Sequence, residues 1–328
     1  MDKLTFTYSQ LSSHSVGHLA MSHYDLPGFI SCKFYVLGLH DNYLIECEHE
    51  KYILRIYRND WRSTEEIQFE LELLAFLRAK TAPVSFPIST KLGELSFLID
   101  TPEGKRSAVL FLYADGSALE NAISIEESTQ LGKVVANVHR SADTFETNYS
   151  RQNLDLPYLL DESILAIKPF IDVDALSYLQ SLQFKLEDTL SSFSKQAGVY
   201  GICIGDVNSS NFHINHKQEI TLFDFDQCGY GYRAFEIGKF ISSLHSLKTK
   251  HDIAKAFIDG YQQVRVLTHE EHLAIPYYEL LSVIWVMAIH ANNVDRIGHK
   301  YLEKPFWDRR LFKLKELEKL LPESSSIN

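Results

Sequence analysis

Three polar residues at the ends of short apolar runs are the strongest chemical signal in the sequence. Asp206 and Asn211 stand in "YGICIGDVNSSNFHI", where a strand-like run leads into a turn and a second one leaves it. Asp224 ends the next apolar run, in "TLFDFDQCGYG". Carboxylate and amide oxygens in this arrangement could bind a metal ion or take a proton from a substrate.

Calcium, zinc and serine-hydrolase chemistry do not fit the spacing. An EF-hand loop needs glycine at position six and a bidentate glutamate at position twelve. The run from Asp206 has Asn211 and Lys217 there. The run from Asp224 has Phe235 at position twelve. The sequence contains neither an H-E-x-x-H zinc motif nor a G-x-S-x-G nucleophile turn.

Phosphoryl transfer fits the same residues. It needs a carboxylate that accepts the proton of the attacking hydroxyl, oxygen ligands for Mg²⁺ beside the phosphates, and a cation that contacts the phosphates. The order D-x-x-x-x-N, with an aspartate after the next strand, occurs at Asp206, Asn211 and Asp224. The sequence therefore favours a kinase-type reaction.

The N-terminal part, residues 1–115, is predicted to be mostly strand. "FYVLGLHDNYLIECE" and "KYILRIYR" are rich in β-branched and aromatic residues and are separated by a polar turn. A helix follows, because Ser63 and Glu66 form a capping box before an apolar helical pattern. "LSFLID" and "SAVLFLYADG" complete a small antiparallel sheet with one helix.

The remaining part, residues 116–328, is predicted to be mostly helical. Capping boxes at Ser124 and Thr268 begin two helices, and "LSYLQSLQFKLEDTLSSFSKQ" is a third. The only strands expected here are the two short ones around Asp206 and Asp224. Two lobes of this kind predict a ligand-binding cleft between them.

Composition and charge limit the partners. Hydrophobic residues make up 45% and charged residues 23%, as in an ordinary globular protein. The net charge of −11 argues against nucleic-acid and anionic-membrane partners. The first residues lack the basic region and apolar core of a secretory signal, so none is expected, and no apolar run approaches the roughly 18 residues that span a bilayer. Four scattered cysteines without a C-x-x-C pair predict reduced thiols in a cytoplasmic protein.

Taken together, the motifs resemble the aminoglycoside phosphotransferase and choline kinase-like family, whose fold is that of the protein kinases. The family pattern H-G-D-x-x-x-x-N corresponds to "IGDVNSSN", and its I-D-F-[DE] to "FDFD". "LGKVVANVHRSADTF" is similar to the helix before the catalytic loop. "NLDLPYLLDESILAI" and "LLSVIWVMAIHANNVDRIG" resemble the type II homoserine kinase and stress response kinase A branch, and the similarity covers about residues 30–315.

The resemblance implies an α+β, bilobal protein-kinase-like fold. Residues 1–115 are the N-terminal antiparallel β lobe that binds nucleotide, and residues 116–328 are the helical lobe for catalysis and substrate. Asp206 is then the catalytic base, and Asn211 and Asp224 are the Mg²⁺ ligands. ATP or GTP is the co-substrate, and the protein is expected to be a monomer or homodimer.

On the same basis, Arg55 in "KYILRIYR" stands where the phosphate-contacting kinase lysine is expected. An arginine keeps the charge and can donate to two phosphate oxygens. Its expected partner is Glu70 on the following helix, which matches the family pattern E-x-x-x-L-x-x-L. Glu72 is an alternative partner.

Two further segments are expected to contact the nucleotide. "VLGLHDNYL" stands at the place of the phosphate-covering hairpin, with Gly38 as its only glycine and Asn42 as its best candidate contact. "LFLYADG" corresponds to the lobe-connecting hinge, where backbone groups near Leu112 and Ala114 would meet the purine.

The acceptor is expected to be a small hydroxylated molecule with an amine, such as an antibiotic, an amino alcohol or a homoserine-like metabolite. Candidate contacts are Asp155, Trp285 and His290, with Asp226 as a further metal or substrate contact. The alternative is that Asp155 belongs to an ordinary solvated surface and that Asp226 forms structural hydrogen bonds.

Ile204 departs from the family pattern, because it replaces the histidine before Gly-Asp. That histidine supports the loop by hydrogen bonds, which isoleucine cannot form. The departure leaves open a non-catalytic nucleotide-binding protein. A regulatory Ser/Thr protein kinase of the stress-response type is the other alternative.

Overall fold

The computed structural model of the protein describes residues 4–193, 195–244 and 247–322. The chain forms two compact units, each assembled from separate stretches of sequence. The sheet unit comprises Met1–Ser117, Phe145–Arg151 and Phe212–Phe223. The helical unit comprises Ala118–Thr144, Gln152–Asn211 and Asp224–Asn328.

The elements alternate between the two units along the chain. The first group is α1 (Ser13–His23), β1 (Phe29–Leu37), β2 (Asp41–Cys47), β3 (Lys51–Ile56), α2 (Thr64–Ala79), β4 (Phe97–Thr101) and β5 (Gly104–Leu112). The second is α3 (Ile125–Ala142), α4 (Glu162–Ile167), α5 (Val173–Leu190) and β6 (Tyr200–Cys203). The hairpin β7 (Phe212–Ile214) and β8 (Ile220–Leu222) belongs to the sheet unit. The last group is β9 (Gly229–Tyr232), α6 (Arg233–Ser243), α7 (Lys250–Gln262), α8 (His269–Asn292), α9 (Val294–Ile297) and α10 (Lys304–Glu318). Short π- or 3₁₀-helical segments lie at Pro157–Asp161, Lys168–Phe170 and His299–Leu302.

Five strands of the sheet unit form one antiparallel sheet in the order β1-β2-β3-β5-β4. Side chains alternate between the faces of a strand. Tyr43 and Ile45 of β2 and Leu54 and Ile56 of β3 are buried in one core cluster. Arg55, between the last two, therefore lies on the opposite face of β3.

Helix α2 begins at the predicted capping box, in which Ser63 and Glu66 exchange hydrogen bonds. Its apolar face, including Leu71, is buried. The sheet unit also contains α1, which the sequence analysis did not predict. Val16 and Ala20 of α1 are fully buried in the core cluster and account for its position.

In the helical unit, α3 packs on α7, and α8 packs on α4 and α6. The capping boxes predicted at Ser124 and Thr268 are both present. By length and composition alone, α8 could cross a membrane, with a mean hydropathy of 1.5 over 18 residues. However, 72% of that stretch is buried inside the protein, so the core accounts for its apolar character.

The strands near the polar motifs differ from the sequence prediction of two short strands. The structure has four, paired as β6 with β9 and β7 with β8. Strand β9 has the sequence "GYGY", and glycine is depleted in strands, which is why the pattern did not indicate it. The chain passes into the sheet unit directly after Asn211 and returns at Asp224.

Candidate active site

The loop between β6 and β7 brings Asp206 and Asn211 into direct contact. Asn211 Nδ2 donates to the Asp206 main-chain oxygen at 2.9 Å and to Asp206 Oδ2 at 3.1 Å. Asn208 Nδ2 donates to the same main-chain oxygen at 3.1 Å. The loop is thus closed around Asp206, and within the described residues Asn211 Oδ1 accepts no hydrogen bond.

A buried carboxylate also fixes the backbone of the same loop. Glu236, on α6, accepts the backbone N–H of Ile204 at 2.5 Å and that of Gly205 at 3.1 Å. His139 Nε2 lies 3.3 Å from Glu236, and its Nδ1 lies 2.8 Å from the Tyr261 hydroxyl. Burial lowers the pKa of His139, so the neutral ring is favoured. This buried network supports the loop although residue 204 is not histidine.

A close approach of two backbones joins the Asp206 loop to the segment after Asp224. Gly205 has a φ of +89°, a conformation that L side chains rarely adopt. A Cβ added to it would lie 2.0 Å from the main-chain oxygen of Gln227. Only glycine fits, and the "IGD" and "FDFDQ" motifs therefore pack against each other within the helical unit.

The two aspartates of "FDFD" have different environments. Asp224 has a φ of +63°, which is uncommon for a residue other than glycine and tolerated best by Asn and Asp. Asp226 is 2% exposed and accepts a hydrogen bond from Gln227 Nε2 at 3.0 Å. The burial favours the structural alternative for Asp226 and gives its predicted metal or substrate contact no support.

Lys239 is a site residue that the sequence analysis missed. Its ammonium lies 2.5 Å from Asp206 Oδ1, and its side chain is 5% exposed, against 32% for Asp206. The signal in the sequence was a lysine inside "RAFEIGKFISS". In the structure, almost all residues of this helix are buried. A buried lysine requires an anionic partner, but the sequence does not say which.

The predicted acceptor contacts are only partly compatible with the structure. Asp155 is half-buried and accepts the Tyr158 N–H at 3.4 Å. Trp285 is 2% exposed and packs in the core, so the expected contact with substrate is not supported. His290 Nδ1 donates to the carbonyl four residues earlier at 2.8 Å. Burial lowers the pKa of His290 and favours its uncharged form.

In the sheet unit, Arg55 and Glu70 form a buried ion pair. Arg55 Nη1 lies 3.2 Å from Glu70 Oε1, and the Tyr57 hydroxyl donates to Glu70 Oε2 at 2.9 Å. Arg55 Nε donates to Asn42 Oδ1 at 3.4 Å, and the guanidinium lies 5.2 Å from the Phe111 ring centre. The structure thus brings together three of the residues predicted to bind nucleotide.

Glu72 faces a different part of the sheet unit. It accepts a hydrogen bond from Thr147 Oγ1 at 2.5 Å, in the segment Phe145–Arg151 that packs on α2. Two residues along a helix are separated by about 200°. Glu70 and Glu72 therefore cannot face the same partner, and Arg55 pairs with Glu70.

The main-chain groups of Leu112 and Ala114 differ in whether they already have hydrogen-bond partners. The Leu112 N–H donates to Phe86 O at 3.0 Å, and its carbonyl accepts from Ser85 Oγ at 2.6 Å. The Ala114 carbonyl accepts from His213 Nδ1 at 2.8 Å. Leu112 therefore offers no free main-chain group to a purine. The Ala114 N–H has no acceptor in the part of the chain that the structure describes.

Sequence comparisons identify the class of protein. A model of the phosphotransferase enzyme family matches residues 36–275, and the chain belongs to this family. It is 36% identical to an uncharacterised protein of Synechocystis sp. over 96% of this chain and 88% of that protein. It is 26% identical to the homoserine kinase of Neisseria meningitidis over 81% of this chain and 85% of that enzyme.

Two solved structures show the same fold. A microcompartment-associated aminopropanol kinase superposes with a TM-score of 0.77 at 20% identity, over 93% of this chain and 95% of that one. Amicoumacin kinase hAmiN, in complex with AMP-PNP and Ca²⁺, gives 0.78 at 21% identity, over 95% of each chain. The predicted α+β, protein-kinase-like fold is confirmed, and the family of the chain is one of phosphotransferase enzymes.

Proposed function

We propose that the protein transfers the γ-phosphoryl group of Mg-bound ATP or GTP to the hydroxyl of a small, amine-containing molecule in the cytoplasm. The contact between Asp206 and Asn211 is the main support for this proposal. A half-exposed carboxylate and an amide side chain lie together in one loop that is fixed by several hydrogen bonds. A kinase reaction needs a base and a metal ligand in such proximity.

Asp206 acts as the general base in this reaction. The acceptor O–H bond breaks and its proton passes to Asp206, while the acceptor oxygen bonds to the γ-phosphorus and the bond to the β-phosphate oxygen breaks. ADP or GDP leaves with that oxygen. Glu236 and its partner His139 hold the loop in place. A base displaced from the acceptor hydroxyl would remove its proton more slowly.

The donor set at the metal position fits Mg²⁺. Asn211 presents its amide nitrogen to Asp206, so its oxygen is available for a cation. Asp224 supplies a carboxylate on a backbone turn that only a few residue types adopt. Hard oxygen ligands of this kind are those that Mg²⁺ prefers. When bound, Mg²⁺ would neutralise charge on the β- and γ-phosphates.

The sheet unit would bind the nucleotide. Arg55 is held by Glu70 and Asn42, so its guanidinium is already oriented and can donate to phosphate oxygens. The buried Ala114 N–H would donate to the purine, because an unpaired buried N–H is rare without a ligand. Leu112 is not proposed as a purine contact, because its N–H and carbonyl already have partners within the protein.

An amine on the acceptor is supported by two observations. The chain has a net charge of −11, which favours cationic over anionic ligands. Its relatives include enzymes named for homoserine and aminopropanol, both of which contain an amine. Asp155 is the retained candidate for contact with that amine.

The experiment is a transfer screen with γ-labelled Mg-ATP and Mg-GTP. The panel contains amino alcohols, homoserine-like amino acids, hydroxylated antibiotics, neutral sugars and a protein extract. Label on an amine-containing molecule, absent with Asp206→Asn, is the expected result. Label only on neutral sugars would refute the amine, and label only on protein would favour the protein-kinase alternative. Failure to bind either nucleotide in calorimetry would refute the phosphotransferase proposal.

A further inference from the structure

Helix α6 contacts the catalytic loop with two charged side chains one turn apart. Glu236 accepts the N–H groups of Ile204 and Gly205, and Lys239 contacts the Asp206 carboxylate. Residues three apart share one face of a helix. A single face of α6 therefore binds three consecutive loop residues, two by their backbone and the third by its side chain.

The position of Lys239 is fixed by the packing of α6. A Cβ added to the adjacent Gly238 would lie 2.7 Å from the backbone nitrogen of Glu279 on α8, so the two helices are in close backbone contact. Lys239 is 4% exposed. Among the described residues, Asp206 is the only carboxylate that forms an ion pair with its ammonium.

The two oxygens of Asp206 are consequently not equivalent. Oδ1 lies against the buried ammonium of Lys239, whereas Oδ2 accepts a neutral amide N–H from Asn211. The ammonium at 2.5 Å occupies Oδ1, whereas Oδ2 still has a lone pair that can accept the hydroxyl of a substrate. The proton of the attacking hydroxyl is then expected on Oδ2.

We infer that Lys239 is a positioning residue for phosphoryl transfer, which binds Asp206 Oδ1, fixes the orientation of the carboxylate and directs Oδ2 to the acceptor hydroxyl. The inference rests on the proposed function, since it assigns Lys239 a role through the base. The atoms transferred are unchanged: the hydroxyl proton goes to Oδ2 and the phosphoryl group to the acceptor oxygen.

A purely structural lysine makes a different prediction. If Lys239 only stabilised α6, its replacement would lower the melting temperature and act on kcat independently of Asp206. If it acts through Asp206, the two substitutions are strongly non-additive in kcat, because the second removes nothing once the base is absent. Nucleotide affinity is unaffected in that case.

The test is a double-mutant cycle on ADP formation from Mg-ATP, with the best acceptor of the panel and with water alone. We expect Lys239→Met to lower kcat about 10- to 100-fold, part of the effect of a general base, with an unchanged Kd for Mg-ADP. Lys239→Arg should recover most of the rate. In the Asp206→Asn background, Lys239→Met should change kcat by less than about 3-fold.

Lys313→Met is the matched control. The Lys313 ammonium also contacts α6, where it donates to the Ser242 carbonyl at 2.7 Å, but it does not contact the loop. The kcat of Lys313→Met should therefore stay near that of the wild type. Additive losses in the cycle, or full kcat in a folded Lys239→Met, would overturn the inference alone. A wild type that binds Mg-ATP but forms no ADP would overturn the proposed function and the inference with it.

Discussion

The Glu236 carboxylate accepts the backbone N–H of Ile204 at 2.5 Å, across 32 residues of sequence. The side chain at position 204 is therefore not needed to fix this part of the loop. Isoleucine fills an apolar site that is 2% exposed, while Glu236 and His139 provide the polar support. The departure from the family histidine is compatible with an active enzyme.

Restoring histidine at position 204 should not increase activity. We expect Ile204→His to leave kcat within about 3-fold of the wild type, and to lower the free energy of unfolding by about 1–3 kcal/mol, because a polar ring enters a packed apolar site. Turnover and urea unfolding are the measurements, with Ile204→Val as the control for lost volume. A tenfold rise in kcat would mean that the missing histidine limits the natural enzyme.

Replacement of Asp206, the proposed base, should separate the effect on catalysis from the effect on nucleotide binding. Asp206→Asn is expected to lower kcat by about 10²–10⁴, the range of general-base catalysis, with Mg-ATP affinity nearly unchanged. The asparagine oxygen can still accept from Lys239, so the fold should persist. Single-turnover kinetics and calorimetry measure the two effects. Full turnover in this variant would show that another group accepts the proton.

The charge of Asp224 should act on the metal-bound nucleotide. We expect Asp224→Asn to weaken Mg-ATP binding about 10- to 100-fold, equivalent to about 1.4–2.8 kcal/mol, because a neutral amide replaces a charged oxygen ligand. Asparagine also tolerates the positive φ, so the turn is preserved. Calorimetry with Mg-ATP and with metal-free ATP shows whether the loss of affinity depends on the metal ion. An equal loss for both nucleotide forms would argue against a metal ligand.

The planar guanidinium of Arg55 should contribute more to ATP binding than a positive charge alone would. Arg55→Lys is expected to raise KM for ATP about tenfold, equivalent to about 1.4 kcal/mol, because lysine cannot donate to two oxygens from one plane. Arg55→Met should also destabilise the fold by about 3–5 kcal/mol, since it leaves Glu70 buried without its cation. Initial rates and urea unfolding separate the two effects. An unchanged KM in Arg55→Lys would exclude a bidentate phosphate contact.

The buried histidine should make stability depend on pH. Burial lowers the pKa of His139 below its ordinary value of about 6.5, so the unfolded chain binds more protons in the window below that value. His139 therefore contributes stability above about pH 6.5 that is lost as the pH falls. Urea midpoints between pH 8 and 5 should fall less steeply for His139→Gln. His251→Gln, at a side chain that is 91% exposed, should keep the wild-type slope.

Local spacing explains why part of the site could be predicted. The turn from Asp206 to Asn211 spans five residues, and an amide and a carboxylate at that spacing meet as soon as the loop closes. The capping box of Ser63 and Glu66 is equally local, since it needs only one helical turn. The alternation of Arg55 with its apolar neighbours follows from the period of a strand. These features need no information about distant parts of the chain.

The tertiary structure decided which distant partners these residues have. Lys239 meets Asp206 across 33 positions, and Glu236 meets Ile204 across 32, because α6 is held against α8 at Gly238. The sequence determined a phosphotransferase of known fold and the residues of its local motifs. It did not determine the cation beside Asp206 or the support of the Asp206 loop, because helix packing sets the register of such contacts and no spacing rule along the chain encodes that register.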